Sequence, residues 1–74
     1  MTKWEHAVVE IDYKDWQVVL VSESNNINGT KLPEDRDGIL AWAGNEGWEL
    51  ASVVITRDGI EEYSEHLYFK RPVT

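Results

Sequence analysis

The sequence predicts an α+β fold, a four-stranded, mainly antiparallel sheet with one helix on one face, in the chain order β-β-α-β-β. Two pairs of alternating, β-branched stretches flank one helical stretch, and each pair reads as a hairpin. The joint after the helix is sharp, because the helical pattern stops at Gly47 and a strand pattern starts at Trp48. Glycine readily takes the left-handed conformation just past a helix end.

The chain is short, and we expect residues 1–74 to form a single domain. A domain of this size buries roughly 60% of the surface that its unfolded chain exposes, so its stability is marginal. Cysteine is absent, which excludes disulfides and thiolate metal sites. Oligomerisation is then the expected source of added stability.

The first hairpin is predicted from two alternating stretches. Lys3–Tyr13 reads as a strand, Asp12–Asp15 as a polar turn, and Trp16–Ser22 as the second strand. Ser22–Thr30 is a polar loop, in which Asn28-Gly29 is a tight-turn signal.

The helix is predicted over Pro33–Glu46, since proline is favoured at a first helical position and acids follow it. Its apolar stripe is short and consists of Ile39, Leu40 and Ala43. Glycines inside a helix cost roughly 1 kcal/mol each relative to alanine. We therefore expect this helix to depend on packing against the sheet.

The second hairpin follows the helix directly. Trp48–Arg57 is the third strand, Asp58-Gly59 is a strong two-residue turn, and Ile60–Arg71 is the fourth strand, ended by Pro72.

Alternation sorts the strand residues into two apolar faces. The bulkier face is assigned to the helix and contains Trp4, His6, Val8, Trp16, Val18, Leu20, Trp48, Leu50, Val54, Leu67 and Phe69. The second face contains Ala7, Val9, Ile11, Val19, Val21, Ala51, Val53, Ile55 and Tyr68. A solvent-facing sheet surface normally carries polar residues. This second face therefore predicts a contact with another copy or a ligand surface, and we favour an oligomer interface formed by Ala7, Val9, Ile11, Val19, Val21, Val53, Ile55 and Tyr68.

Four tryptophans are many for this length. Trp4, Trp16 and Trp48 fall on the presumed helix side and are expected in the core. Trp42 lies at the edge of the helix stripe, where it is either a half-buried core residue or an exposed anchor for a partner.

Residues with catalytic potential are not arranged for catalysis. His6 and His66 are expected on opposite faces of the sheet. This disfavours a metal site shared by the two histidines, and it disfavours general-base catalysis by the two acting together. The serines have no base at motif spacing, and the acids fall mainly in solvated turns. We predict no enzyme activity, no catalytic residue, no metal and no cofactor.

Charge and hydropathy argue against two classes of partner, nucleic acids and membranes. Fourteen acidic against seven scattered basic residues give a net charge of -7, which repels a phosphate backbone and argues against nucleic acid. No apolar run reaches the roughly 20 residues of a membrane span, and no secretory leader is recognisable, so we expect a cytoplasmic protein without a membrane partner.

Three stretches carry a family likeness: Trp4-Glu5-His6-Ala7-Val8-Val9-Glu10, Gly44–Val54 with its Gly-Asn-Glu-Gly-Trp-Glu-Leu joint, and Leu67–Pro72 ending in Lys-Arg-Pro. Together they resemble the short bacterial and phage proteins of domain-of-unknown-function family 4177. The resemblance implies a single α+β domain of bacterial or phage origin, and it implies no catalytic residue. The chain departs from the family pattern at Ala7, which makes the second face more apolar, and at Trp42.

Three functions remain open. The first is a non-enzymatic binding or accessory module, a homo-oligomer that holds a protein or small-molecule partner. The second is a small enzyme whose site forms between subunits from His6, His66 and acids. The third is a phage inhibitor that sequesters a host defence protein or signal; a pocket lined by Arg36, Arg57 or Arg71 would favour a phosphate-bearing signal.

Overall fold

The structure, a computed structural model, describes residues 3–27, 31–57 and 59–73. Its elements are β1 (Lys3–Lys14), β2 (Gln17–Glu23), a 3₁₀ turn (Asn25–Ile27), α1 (Arg36–Asn45), β3 (Glu49–Arg57) and β4 (Glu62–Val73). The strands form one antiparallel sheet in the order β2-β1-β4-β3, so β1 and β4 are central. The predicted fold class is confirmed.

The first hairpin turns later than predicted. Lys14 pairs with Gln17, which leaves Asp15 and Trp16 as a two-residue turn. Both have positive φ, 52° and 66°, as a type I′ turn requires. Trp16 is therefore not a core residue, and its predicted core position is wrong. It is 68% exposed, and its ring lies tilted by 55° against the ring of Tyr63, with 5.8 Å between the centroids.

The segment after β2 stays beside β1 and is held there by one backbone hydrogen bond and two hydrogen bonds that involve side chains. Ser24 donates its N–H to the carbonyl of Val8 and accepts the Val8 N–H on its Oγ. The Asn26 amide donates to the carbonyl of His6 at 2.7 Å. Ile27 is buried in the core beyond them. The Asn28-Gly29 turn signal lies outside the described residues.

The helix begins three residues later than predicted. Asp35 is the N-cap, with extended backbone, and its carboxylate accepts the N–H of Gly38. A Cβ on Gly38 would lie 2.7 Å from the Cβ of Pro33, so glycine lets Pro33 fold back onto the first turn. The unfavourable helix propensity of Gly38 is thus offset by the close packing of Pro33 against the first turn of the helix.

The helix ends as the sequence predicts. Gly47 has φ +83° and donates to the carbonyl of Gly44, while Trp48 donates to the carbonyl of Ala43 at 2.8 Å. These two bonds form a Schellman motif, whose usual apolar contact is supplied by the buried Ala43 and Trp48.

The helix covers the opposite face of β1 from the one predicted, whereas Trp48, Leu67 and Phe69 lie on the helix side as predicted. Ala7, Val9 and Ile11 are at most 2% exposed and form the core with Leu67 and Phe69 of β4 and with residues of α1. The register explains the pairing, since Val9 lies opposite Leu67 and Ala7 opposite Phe69. The physical reason is charge: the face with Trp4 and Val8 also carries Glu10 and Asp12 of the same strand, and burying those carboxylates would be costly.

This placement decides the remaining tryptophans. Trp48 is 6% exposed, and its predicted core position is confirmed. Trp4 is 44% exposed on the face away from the helix, so its predicted core position is wrong. Trp42 is half-buried and packs against the core.

Two arginines tie the helix to the central strands. Arg36, in the first turn, donates its Nε–H to both carboxylate oxygens of the buried Glu65 at 2.9 and 3.1 Å. At the other end, Arg71 of β4 pairs with Glu5, stacks on Trp48 and donates to the carbonyl of Glu46. Tyr13 donates to Glu65 from β1 at 3.4 Å.

β4 begins and ends two residues later than predicted, at Glu62 and Val73. The pair nearest the turn is Arg57 with Tyr63, so the predicted two-residue turn is wrong. Of the predicted turn, Asp58 lies outside the described residues, and Gly59 donates its N–H to the carbonyl of Glu62. Pro72 lies inside β4, opposite Trp4. Proline is tolerated there because the pairing of β3 with β4 reaches only to Glu49 and Lys70, so no β3 residue lies beside Pro72.

We predict that Gly47→Val lowers the free energy of unfolding by more than about 1 kcal/mol, since a β-branched residue is strained at positive φ. The matched control is Gly44→Ala: an added Cβ has nothing within 4 Å, and alanine should raise the stability by up to about 1 kcal/mol. Denaturant unfolding measures both. Equal stabilities for Gly47→Val and the parent would show that the joint does not constrain the chain.

We also predict a stability loss at high pH that depends on Tyr13. Burial, followed by the nearby Glu65 carboxylate, raises the pKa of Tyr13 above its ordinary 10.0. A raised folded-state pKa gives stability that is complete below the unfolded value and is lost as pH rises through the folded value. Above pH 10.0 the parent should therefore lose more unfolding free energy than Tyr13→Phe, which cannot ionise. Parallel losses in the two proteins would contradict this.

Candidate binding surface

The most exposed part of the sheet is the edge strand β3. Every residue of β3 is exposed, including four large apolar side chains: Leu50 at 41%, Val53 at 38%, Val54 at 46% and Ile55 at 60%. The strand order places β3 at the border of the sheet, with β4 beside it. Edge strands with exposed apolar residues are templates for association. We call Glu49–Arg57 the β3 edge.

The register assigns the side chains of β3 to the two faces of the sheet. Val53 lies opposite Leu67 and Ile55 opposite Glu65, which places both on the helix face. Val54 lies opposite His66 and Ser52 opposite Tyr68, on the face away from the helix. A bulge between Leu50 and Ser52 precedes six consecutive pairs, from Ser52 to Arg57. Grouping Val53 and Ile55 with Ala7 was therefore right, although the helix lies on that side.

The predicted oligomer interface divides into two sets. Ala7, Val9 and Ile11 are buried beneath the helix, so this part of the prediction is wrong. Val19, Val53, Ile55 and Tyr68 are exposed and Val21 is half-buried, and for these the interface stays a prediction.

The face away from the helix, which we call the open face, mixes aromatic, aliphatic and charged groups. Its side chains on β1 and β4 include Trp4, His6, Val8, Glu10, His66, Tyr68 and Lys70. The Lys70 ammonium lies 4.7 Å from the Trp4 ring centroid, and the rings of His66 and Tyr68 are 6.5 Å apart. Val54 extends this surface onto β3. A flat surface of this composition suits a partner that has both apolar and polar groups.

Both histidines lie on the open face, so their predicted separation onto opposite faces is wrong. His6 is opposite Lys70, whereas His66 is opposite Glu10, four residues further along β1. The His66 Nε2 is 2.7 Å from Glu10 Oε1. Two residues further along β1, Asp12 lies opposite Ser64, and the Ser64 hydroxyl donates a hydrogen bond to the Asp12 carboxylate at 2.7 Å. The histidines are thus kept apart by distance along the strand, and His66 has a carboxylate partner instead.

The arginines considered for a phosphate site have other roles. Arg36 is paired with Glu65, and Arg71 with Glu5, so the positive charge of each is compensated locally. Arg57 is exposed at the end of β3. Trp42, for which a half-buried core position and an exposed partner anchor were both open, packs against the core as a half-buried residue. These positions do not favour a phosphate-bearing ligand.

The described surface has grooves rather than deep clefts. One shallow groove, about 440 Å³ in volume, runs between β2 and the segment before the helix and is lined by Val18–Val21, Glu23 and Leu32–Glu34.

Near the first hairpin, a hydrogen bond with Asp15 raises the pKa of Glu61, because the shared proton favours the neutral acid. Among residues 3–27, 31–57 and 59–73, no group of three or more His, Asp or Glu side chains is placed to hold a metal ion. The helices of this part of the chain are too short or too polar to cross a membrane.

Sequence reasoning missed the Glu10–His66 pair and the position of Val54 on the same face as Tyr68. Both follow from the register, in which each β1 residue and its β4 partner have numbers of equal parity. The turn signals do not determine the register of β1 with β4, because these are the first and last strands and no hairpin joins them.

Comparison of the chain with family models, with curated proteins and with solved structures finds no match. The resemblance to domain-of-unknown-function family 4177 therefore stays a prediction.

Proposed function

We propose that this chain is a non-enzymatic binding or accessory module of bacterial or phage origin, which works in the cytoplasm as a homo-oligomer and holds a protein or small-molecule partner. The observation that carries the proposal is the amount of apolar surface left outside the core. The exposed large apolar residues are Trp4, Trp16, Val19, Leu20, Leu50, Val53, Val54, Ile55, Ile60, Tyr68 and Val73. The four of these residues on β3 are neighbours along one open strand border, and apolar surface grouped in this way marks sites of interaction.

The two parts of this surface support different roles. The β3 edge combines aliphatic side chains on both faces with an open strand border, which favours association with another protein chain. The open face instead presents Trp4, Tyr68 and Lys70, residues that make stacking and polar contacts. We assign self-association to the β3 edge and partner binding to the open face.

An enzyme with a site between subunits is the second candidate, and one observation favours it. Glu10 and His66 form a carboxylate–imidazole pair at 2.7 Å, the arrangement that orients a general base. The pair lies on a flat sheet surface, however, and not in a cleft of the kind that surrounds most substrates. The binding module is therefore the better-supported function.

We predict that the parent protein is a dimer or larger species at micromolar concentration and that Val53→Asp dissociates it. A carboxylate placed in an apolar contact loses its hydration without gaining a partner. Light scattering gives the mass, and circular dichroism checks that the fold persists, as expected for a residue that is 38% exposed. The control is Ile60→Asp, at a 91% exposed position outside β3, which should leave the mass unchanged. A parent mass of one chain would refute the homo-oligomer.

We predict no catalysis by the histidines. With p-nitrophenyl acetate and p-nitrophenyl phosphate as probes of acyl and phosphoryl transfer, the parent and the double variant His6→Ala/His66→Ala should both match the uncatalysed rate. Hydrolysis by the parent that either histidine change abolishes, with fold and assembly intact, would replace the binding module with the interface enzyme.

A further inference from the structure

We propose that two copies of this chain pair antiparallel through their β3 edges, with Val54 opposite Val54 of the second copy, so that their sheets join into one eight-stranded sheet. This inference rests on the homo-oligomer proposed above and specifies its interface. The occupant of the β3 edge is then a second β3 edge.

The charges of β3 favour self-pairing and set its direction. The strand starts with Glu49, ends with Arg57 and has no charged residue between them. With Val54 at the centre of an antiparallel pair, Arg57 lies opposite Ala51 and diagonal to Glu49 of the second copy, so the acidic start of each strand is near the basic end of the other. A parallel pair would place like charges together at both ends, which costs free energy.

The faces of the sheet restrict the register. Residues directly opposite one another in an antiparallel pair share a face, so Val53 and Ile55 must face helix-side residues of the second copy. With Val54 at the centre, Val53 meets Ile55 and Ser52 meets Thr56. Aliphatic side chains then contact aliphatic ones, and hydroxyls meet hydroxyls.

The neighbouring registers are less well matched. Centring the pair on Val53 places Glu49 opposite Arg57 but also Ser52 opposite Val54, and centring it on Ile55 places Val53 opposite Arg57. Each sets an apolar side chain against a polar or charged one, whereas β-branched pairs and Ser–Thr pairs stabilise adjacent strands. The centre at Val54 is therefore the self-complementary register.

The other edge of the sheet is less suited to pairing. β2 is irregular in its middle, because Asp12 pairs with Leu20 and Tyr13 with Val18, so Val19 is an extra residue. Such bulges twist an edge away from potential partners. The straight run of β3, by contrast, covers six consecutive pairs from Ser52 to Arg57.

This pairing has a consequence for partner binding. The twofold axis passes midway between the two Val54 residues, perpendicular to the sheet, so both helices lie on one side and both open faces on the other. The two sets of Trp4, Tyr68 and Lys70 then belong to one continuous surface. A partner with twofold symmetry, or one with two equivalent segments, would contact both copies.

Cysteine cross-linking tests the pairing, since the natural chain has no cysteine. Opposed residues of an antiparallel pair have Cα atoms about 4.5 to 5.5 Å apart, within the range that a disulfide spans. At ~10 µM chain, Val54→Cys should oxidise to a covalent dimer about a hundredfold faster than Leu20→Cys on the β2 edge or Ile60→Cys, because paired thiols have millimolar effective concentration. Ser52→Cys mixed with Thr56→Cys should give mainly the mixed dimer.

The outcomes separate the two proposals. Faster cross-linking of Val53→Cys or Ile55→Cys overturns the register, and faster cross-linking of Leu20→Cys overturns the choice of edge. A dimer by light scattering in which none of these cysteines cross-links overturns edge pairing while the homo-oligomer stands. A monomeric parent overturns both. Circular dichroism of each variant confirms that the comparison is between folded proteins.

Discussion

The structure depends on a mismatch in size between one helix and the sheet that it covers. α1 has ten residues and is roughly 15 Å long, whereas β1 and β4 have twelve residues and span roughly 40 Å each. The extents of the molecule, 44 × 22 × 19 Å, reflect the longer dimension. A helix of this length can bury the centre of β1 and β4, where Val9, Ile11 and Leu67 are fully buried, and it leaves β3 exposed. The exposed edge is therefore a result of geometry and not of unusual composition.

The position of the helix is fixed by polar contacts at its two ends as well as by its short apolar stripe. Ile39 and Ala43 are the buried residues of α1, which is a small contact for a helix that contains two glycines. Arg36 on the buried Glu65 and Arg71 on the last turn hold it across the central strands. Glu65 can be buried because its two carboxylate oxygens share the Nε–H of Arg36 in a bifurcated, charge-assisted hydrogen bond and accept a further bond from Tyr13. Arg36 and Arg71, which the sequence offered for an anion site, thereby stabilise the fold instead.

The sequence predicts the elements and the helix end well, because these are local. Gly47, Trp48 and the four alternating stretches each have a signal within a few residues, and the fold class follows from them. The face of β1 beneath the helix was predicted wrongly because it depends on a comparison of two apolar faces, whereas Leu67 and Phe69 of β4 were placed correctly. Trp4 and Val8 outweigh Ala7 and Val9 in volume, but Glu10 and Asp12 decide the matter through the cost of burying charge. The position of Trp16 in a turn was missed because tryptophan rarely adopts positive φ, so its side chain suggested a strand. The Glu10–His66 pair required the strand register, which is a property of the whole sheet.

The acidic character of the chain and the uncharged run of β3 work together. A net charge of -7 repels other copies at long range and opposes random contacts between most parts of the surface. Within Leu50–Thr56 there is no charge, so close approach meets the least electrostatic resistance there. Repulsion between copies is screened beyond about 10 Å at 0.1 M salt, whereas the apolar and backbone contacts of paired strands act at short range. β3 combines this uncharged interior with a straight run of six pairs, so the conditions that the proposed edge pairing requires are met along this strand.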